Sequence, residues 1–408
     1  MITADARADL SHTTLADAIQ LVLFCGSSAA YAIYMADLIE QSTYYASLML
    51  LVGFCGLRAV WLVAARLRGH RRLHFAGPAA ALLCAAALLV LISVIQHFLA
   101  AQPLTISSVE EALYIVVPTI LAFTIVNTVS TGLGDFYVLV LLLKYVAFIL
   151  IKFSADLDLS AITAIDWSDT NSSVFESSFS HDLLVLEAYF LFRRQYIRAA
   201  VAAIFTLLTF KRASFLLAPA LLIVSNKLRL ARTVSAVPTV ALFVTGCISP
   251  FLIMAIYSDA FNDFARRTFN LDVNAFTTGR QAIYEMALEV RDIGGFGSLN
   301  PELTRLAGWN ALLHNDTVRL YLEVGLFGVI GYCAAIALLA RTNRLSVILV
   351  SYAFFVLITS RLITHMSFWI ALLLVLALAQ RISENQQDRV TNGATDPDAQ
   401  MARRRSRI

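Results

Sequence analysis

The sequence predicts an all-α, polytopic integral membrane protein of about twelve transmembrane helices with one long loop on the non-cytoplasmic side. Three observations carry that expectation. Of 408 residues, 59% are hydrophobic and only 14% charged, where a soluble domain carries about 25% charge; the mean hydropathy is +0.73. Apolar runs long enough to cross a bilayer recur along the chain, without the apolar–polar alternation of barrel strands. The basic residues gather in alternate connections between those runs.

Taken in order, the expected spans are 17–38, 44–65, 76–99, 111–129, 136–154, 182–193, 198–210, 213–226, 235–257, 317–340, 345–361 and 366–380. The first follows a polar "ADARADLSHTT" start and has no mark of a cleaved signal. The three around 182–226 are short, as half-spans or strongly tilted helices are. The connections "ARLRGHRRLH" (65–74), "RRQYIR" (193–198), "NKLRLAR" (226–232), "RTNR" (341–344) and the tail "ARRRSRI" (402–408) fall on one side if both termini are cytoplasmic. The connections near 39–43, 100–110 and 155–180 hold almost no Lys or Arg and fall on the other side, with the long loop 258–316. Residues 1–380 thus form one transmembrane domain. Residues 381–408 form a polar tail without apolar periodicity, read as disordered, whose RRRSR meets anionic headgroups. The five cysteines lie in apolar segments without paired spacing and read as packing residues. The net charge of +3 is small, and nothing points to nucleic acid.

Some charges break the apolar pattern. "AIFTLLTFKRASFLLAPALLIV" (203–224) places Lys211 and Arg212 at the outer turn between two short helices, against the positive-inside bias. Lys211 has a flexible stem that can snorkel to headgroups. Arg212 in a tight turn between short helices reads as buried in the bundle, where an ionisable residue is functional by default. Arg58, Lys144 and Glu187 lie inside spans, where they either line a cavity or pair.

The loop supplies the rest. Thr277 or Thr278 is placed to N-cap a helix over 279–291, with Ile283, Met286, Ala287 and Val290 on one face. Arg280 then falls in its first turn, where the helix dipole disfavours a cation that has no anion to bind. "GGFG" (294–297) permits a sharp turn or close backbone approach to a ligand. At the mouth of the next span stand His314, Asn315 and Asp316. Asn315 or Asp316 is a natural N-cap. Arg319 and Glu323 are spaced i,i+4 and can pair on one face, and Gly325 and Gly328 allow close helix packing. Further on, Arg361 and His365 share the outer turn between the last two spans. Arg361 there either binds phosphate or snorkels.

"KRASFLL", "TTGRQAIYEMAL…GGFG" and "HNDTVRLYLEVGLFGVIG", in this order over roughly residues 195–345, resemble the O-antigen ligase/polymerase superfamily. Its members are multi-span glycosyltransferases of the bacterial inner membrane that act on glycans carried by undecaprenyl diphosphate. The resemblance implies that Arg212 and Arg280 bind the lipid diphosphate at the periplasmic face and that His314 works beside them. "KRAS" is closer to the Lys-Arg-Ser form of Wzy-type polymerases than to the Ser-Arg of ligases, although Ala213 stands where a serine is common.

The implied reaction is an inverting transfer: an acceptor hydroxyl attacks the anomeric carbon and undecaprenyl diphosphate leaves. Arginine is planar, always charged and bidentate to phosphate. Imidazole, with an ordinary pKa of about 6.5, suits a base. Arg212, Arg280 and His314 are the expected catalytic set. Lys211, Asn315, Asp316, Arg319, Arg361, Trp309 and Tyr321, with Asn310, are expected around the substrates. No carboxylate cluster suggests a divalent metal, and no cofactor is expected. The expected partners are the lipid-linked glycan donor and acceptor, membrane lipids and a chain-length regulator. A ligase moving glycan to lipid A-core remains an alternative. So does a transporter or flippase, against which stands the absence of an internal repeat.

Overall fold

A computed structural model describes residues 14–69, 72–99, 107–152, 180–209, 217–223, 234–277, 279–290, 294–309 and 311–395. Among these every regular element is helical. The first seven helices are α1 (Leu15–Met35), α2 (Gln41–Leu67), α3 (Ala76–Leu99), α4 (Ser107–Thr128), α5 (Thr131–Lys152), α6 (Ser180–Phe192) and α7 (Tyr196–Leu208). After α8 (Ala236–Ile256) come four shorter loop helices: α9 (Asp259–Phe269), α10 (Val273–Phe276), α11 (Arg280–Glu289) and α12 (Leu299–Ala307). The chain closes with α13 (Asp316–Leu338), a 3-10 turn, α14 (Arg344–Thr359) and α15 (Met366–Thr395).

Among the described residues eight helices are long and apolar enough to cross a membrane: α1 to α5, α8, α13 with its 3-10 extension, and α15. This is a multi-pass helical membrane architecture. Helices α6 and α7 have 13 residues each, about 20 Å at 1.5 Å per residue, against a hydrocarbon core of about 30 Å. They pack on each other as a hairpin, and α6 also lies against α15. Half of the expected span at 213–226 lies outside the described residues, with 217–223 helical.

Helix α15 forms the centre. Of its best apolar window, 83% is buried, and it packs along α4, α5 and α6. It does not stop near residue 380 as the polar tail suggested. It runs on to Thr395, and its first turns beyond residue 380 are tied down through Glu384, whose carboxylate meets His74 Nδ1 at 2.6 Å and the Gln380 amide at 2.8 Å. The terminal RRRSR lies outside the described residues.

Ion pairs tie the helix ends at the basic side. Arg58 donates to Asp17 at 2.6 Å and to Gln20 at 2.8 Å. Arg193 makes a forked pair with Asp135. Asn127 accepts from the His74 N–H at 2.8 Å and donates to its carbonyl at 2.9 Å. Buried charges of this kind need partners to offset desolvation. Arg58 has them, whereas Glu187, fully buried on α6, has none among the described residues.

Helix α13 corrects one expectation. Gly325 is not a packing residue. Its φ of 68° and ψ of −173° break the helix there, a conformation glycine tolerates, and nothing would meet a Cβ within 4 Å. Gly328 does pack: its missing Cβ leaves room for Val324 and brings Leu89 of α3 within 3.3 Å of that point.

Candidate functional site

The loop folds as a small helical unit with its own core. Ala265, Val273, Tyr284, Ala287, Leu299, Leu303 and Leu313 are buried together, with Ile283 and Met286 packed beside them. The apolar face expected for the helix after Gly279 is the face that is buried. Its cap differs from expectation. Gly279 itself is the N-cap, at φ 81°, without a side-chain cap bond. Thr277 turns back to the Val273 carbonyl at 2.7 Å, and Asn274 Oδ1 accepts from Ala282 N–H instead. Thr278 lies outside the described residues.

The GGFG turn approaches the bundle. Gly295 and Gly297 have φ of 98° and 87°. A Cβ on Gly295 would sit 2.7 Å from Ser93 Cβ, and one on Gly297 2.5 Å from Glu111 Cγ. Between them Phe296 is fully buried. Its N–H donates to Ser93 Oγ at 2.9 Å, and Ser108 Oγ donates to its carbonyl at 2.8 Å. The glycines therefore serve close contact with α3 and α4.

Beneath that turn lies a buried charge cluster. Arg319 is 0% exposed and donates to Glu111 of α4 at 2.6 Å. Its Nε is 3.4 Å from Glu323 and its Nη1 3.9 Å from Asp316. Glu323 in turn accepts the N–H groups of Gly297 at 2.9 Å and Leu299 at 3.0 Å. Asp316 accepts those of Leu362 and Ile363 in the turn after α14. Asn315 caps α13 through Val318 N–H at 2.9 Å and donates to the Ile358 carbonyl. Both N-cap spacing and the i,i+4 pair were visible in the sequence. Three carboxylates around one guanidinium, each also holding backbone or helix, make this a positioning framework.

The framework holds a pocket. Arg280, His314, Asn315, Tyr257, Ile283 and Leu313 line it together. Arg280 begins α11 and donates to the Thr359 carbonyl at 2.6 Å, so its charge meets the negative C-terminal end of α14. It is half-buried and keeps further donors. His314 is exposed. Burial pushes the Tyr257 phenol above its ordinary value, with Arg280 pulling the other way, so this hydroxyl stays a donor at neutral pH.

Arg361 stands in the turn that Asp316 holds. Its Nε donates to Thr364 Oγ1 at 2.8 Å, and Tyr114 feels its charge. His365 in the same turn faces His181, ring centroids 6.3 Å apart, and His181 Nδ1 meets the Tyr352 hydroxyl at 2.8 Å. His181, Asp182, Tyr352, Ser367 and Glu111 were not picked out from the sequence. His181, Asp182, Ser367 and Glu111 stand near the first turns of their helices, whereas Tyr352 lies midway along α14.

Of the other expected residues, Trp309 is 55% exposed beside the loop core. Tyr321 turns toward α8, edge-on to Phe251 with centroids 5.1 Å apart. Lys211, Arg212 and Asn310 lie outside the described residues. No group of three or more His, Cys, Asp or Glu able to hold a metal occurs among the described residues. No family model, curated protein or solved structure matches this chain.

Proposed function

We propose that the chain is a lipid-diphosphate-sugar-dependent glycosyltransferase, a polymerase of undecaprenyl-diphosphate-linked repeat units. The observation that supports this reading is the meeting of Arg280 and His314 in one pocket, although they stand on different elements of the loop. In this reading α6, α7, α14 and the segment around 213–226 complete twelve spans. Both termini are cytoplasmic, and 258–316 faces the periplasm of a bacterial inner membrane.

The acceptor hydroxyl oxygen attacks the anomeric carbon of the donor. The new C–O bond forms as the bond to the diphosphate oxygen breaks. The electron pair leaves with undecaprenyl diphosphate, and the hydroxyl proton passes to the His314 imidazole. Arg280, and Arg212 by its motif, stabilise the charge on the leaving diphosphate, a contribution of about 3–4 kcal/mol per well-placed donor. Asn315 and Asp316 fix His314 by anchoring the residues that follow it. In the same reading Arg361, on the turn that Asp316 holds, is a further phosphate ligand.

The test is a surface-glycan ladder from a deletion strain complemented with wild type or Arg280→Ala. A polymerase leaves core capped with one repeat unit in the null, and Arg280→Ala matches the null. Long glycan on undecaprenyl diphosphate with none on the core assigns ligase activity instead. An unchanged ladder in the null overturns the glycosyltransferase reading.

A further inference from the structure

One helix of the loop leaves an aromatic face uncovered. Helix α9 carries Phe261, Phe264 and Phe269, which are 38%, 53% and 68% exposed. Their rings touch one another, with centroids 6.1 Å apart for Phe261 and Phe264 and 6.0 Å for Phe264 and Phe269. They take no part in the loop core, where α9 is represented by Ala265. A contiguous exposed apolar patch marks a contact surface.

The helix that presents them is firmly bounded. Ser258 caps its start, accepting from Phe261 N–H at 3.3 Å. Asn270 ends it in the left-handed region at φ 52°. Leu271 N–H then reaches back to the Ala265 carbonyl at 3.3 Å, the closure of a Schellman end. At 3.6 residues per turn Phe261, Phe264 and Thr268 share one side, and Phe269 joins them from the last turn. Asp259, Asp263, Arg266 and Arg267 share the opposite side. Between the two, Ala265 is buried and Asn262 Oδ1 accepts from Val273 N–H at 3.1 Å, which fastens α9 to the loop core.

The position of α9 says what covers the phenylalanines. Helix α8 has 21 residues, about 31 Å at 1.5 Å per residue, which matches a hydrocarbon core of about 30 Å. Its end at Ile256 thus stands at the edge of the bilayer, and only Tyr257 and Ser258 separate it from α9. Val240, Val244, Ile248 and Leu252 form an exposed apolar stripe along α8 at every fourth position. The other side of α8 packs inward: a Cβ on Gly246 would meet Phe354 and Cys333. Along the chain the phenylalanines follow directly on that lipid-facing stripe. The polar side of α9 has two acids and two arginines, and Arg266 pairs with Asp272. Such a balance favours neutral phospholipid over an anionic surface. Arg267 is exposed and unpaired among the described residues, with a stem long enough to reach a headgroup phosphate.

We propose that α9 is an interfacial helix bedded in the bilayer surface at the end of α8, with Phe261, Phe264 and Phe269 at the boundary of headgroups and acyl chains. Helices of this kind lie about 5–10 Å into that boundary. The contact ties the loop to the membrane, because Tyr257, Ile283 and Leu313 of the pocket sit in or against the core that α9 joins. Holding that pocket level with lipid phosphates matters on the glycosyltransferase reading above; the lipid contact does not rest on it.

The test uses the full chain in phosphatidylcholine nanodiscs holding one copy each. The probe is phosphatidylcholine with a photoreactive diazirine high on its acyl chain, and adducts are located by peptide mass spectrometry. Residues 259–269 should take label in a yield comparable to residues 244–252 of α8. Label on α8 with none on 259–269 overturns the proposal. The double variant Phe261→Glu, Phe264→Glu should lower the yield at 259–269 at least about tenfold, the factor carried by the burial of one phenyl group, while the α8 yield holds. An unchanged yield in that variant means that lipid only collides with the segment, and also overturns insertion. Loss of the wild-type adducts in discs holding two copies assigns the face to a second copy instead and overturns the lipid contact. Labelling needs no turnover, so a chain that transfers no sugar but labels on α9 keeps this inference and sinks the transferase reading alone.

Discussion

Arg319 on α13 donates to Glu111 on α4 at 2.6 Å, joining two helices across 208 residues of sequence. The same guanidinium lies between Asp316 and Glu323. Each of those carboxylates holds a separate piece of backbone: Asp316 the turn bearing Arg361 and His365, and Glu323 the GGFG turn. The pocket of Arg280 and His314 therefore rests on a single buried cation.

Removing that cation leaves three carboxylates crowded in a dry site. Arg319→Met should destabilise the protein by about 3–5 kcal/mol, the cost of breaking a buried pair on one side. Arg319→Lys should recover little, because an ammonium cannot span the three acceptors as a planar fork does. Thermal unfolding in nanodiscs followed by size exclusion reads this. A loss under about 1 kcal/mol in Arg319→Met, as for an exposed ion pair, counts against the hub.

Gly297→Ala addresses the docked turn. At φ 87° a side chain is strained, and its Cβ would lie 2.5 Å from Glu111 Cγ. The expected cost is about 1–3 kcal/mol, concentrated locally. Hydrogen exchange at residues 294–300 should rise while that of α15 stays slow. Unchanged protection at 294–300 would show that the turn does not depend on the fit.

Arg280→Ala should reduce glycosyl transfer by about 10²–10³. Stability should fall little, since Arg280 is half-buried and its structural bond reaches one carbonyl. Arg305→Ala is the matched control: its side chain is 68% exposed and, among the described residues, pairs only with Glu302 one turn away. Equal losses in the two variants would mean that loop charge in general, and not the pocket, supports the activity.

If His314 accepts the hydroxyl proton, it must be neutral to work. Activity is then present on the alkaline side and lost as falling pH protonates the imidazole. The pH profile of kcat/KM should show that acid limb in wild type and lose it in His314→Gln, which should also be slower by about 10²–10⁴. An acid limb that persists in His314→Gln moves the base elsewhere, with His181 and His365 the next candidates at the same helix ends.

Much of the membrane plan was legible because a spanning helix is written into contiguous residues. Hydropathy marked α1 to α5, α8 and α13 within a few residues and the start of α15, though not its end, and the i,i+4 rule marked Arg319 and Glu323. Local spacing says nothing of Glu111, which comes to Arg319 only when α4 and α13 pack. It likewise missed Asp182, which supplies the Lys144 counter-charge. GGFG marked a close backbone approach, but the approached surface, Ser93 and Glu111, belongs to helices formed about two hundred residues earlier.

The sequence alone determined that the chain is helical and apolar enough to cross a membrane repeatedly, because burial of backbone polar groups in lipid leaves helices as the answer for such runs. It also determined which segments carry the cations at odds with that solvent. Tertiary structure decided which of those charges are spent. Arg319 is enclosed by carboxylates, Lys144 is balanced by Asp182, and Arg280 lines one pocket with His314. Those outcomes depend on distances between helices remote in sequence, and desolvation makes each buried charge take whatever partner the packing brings within reach.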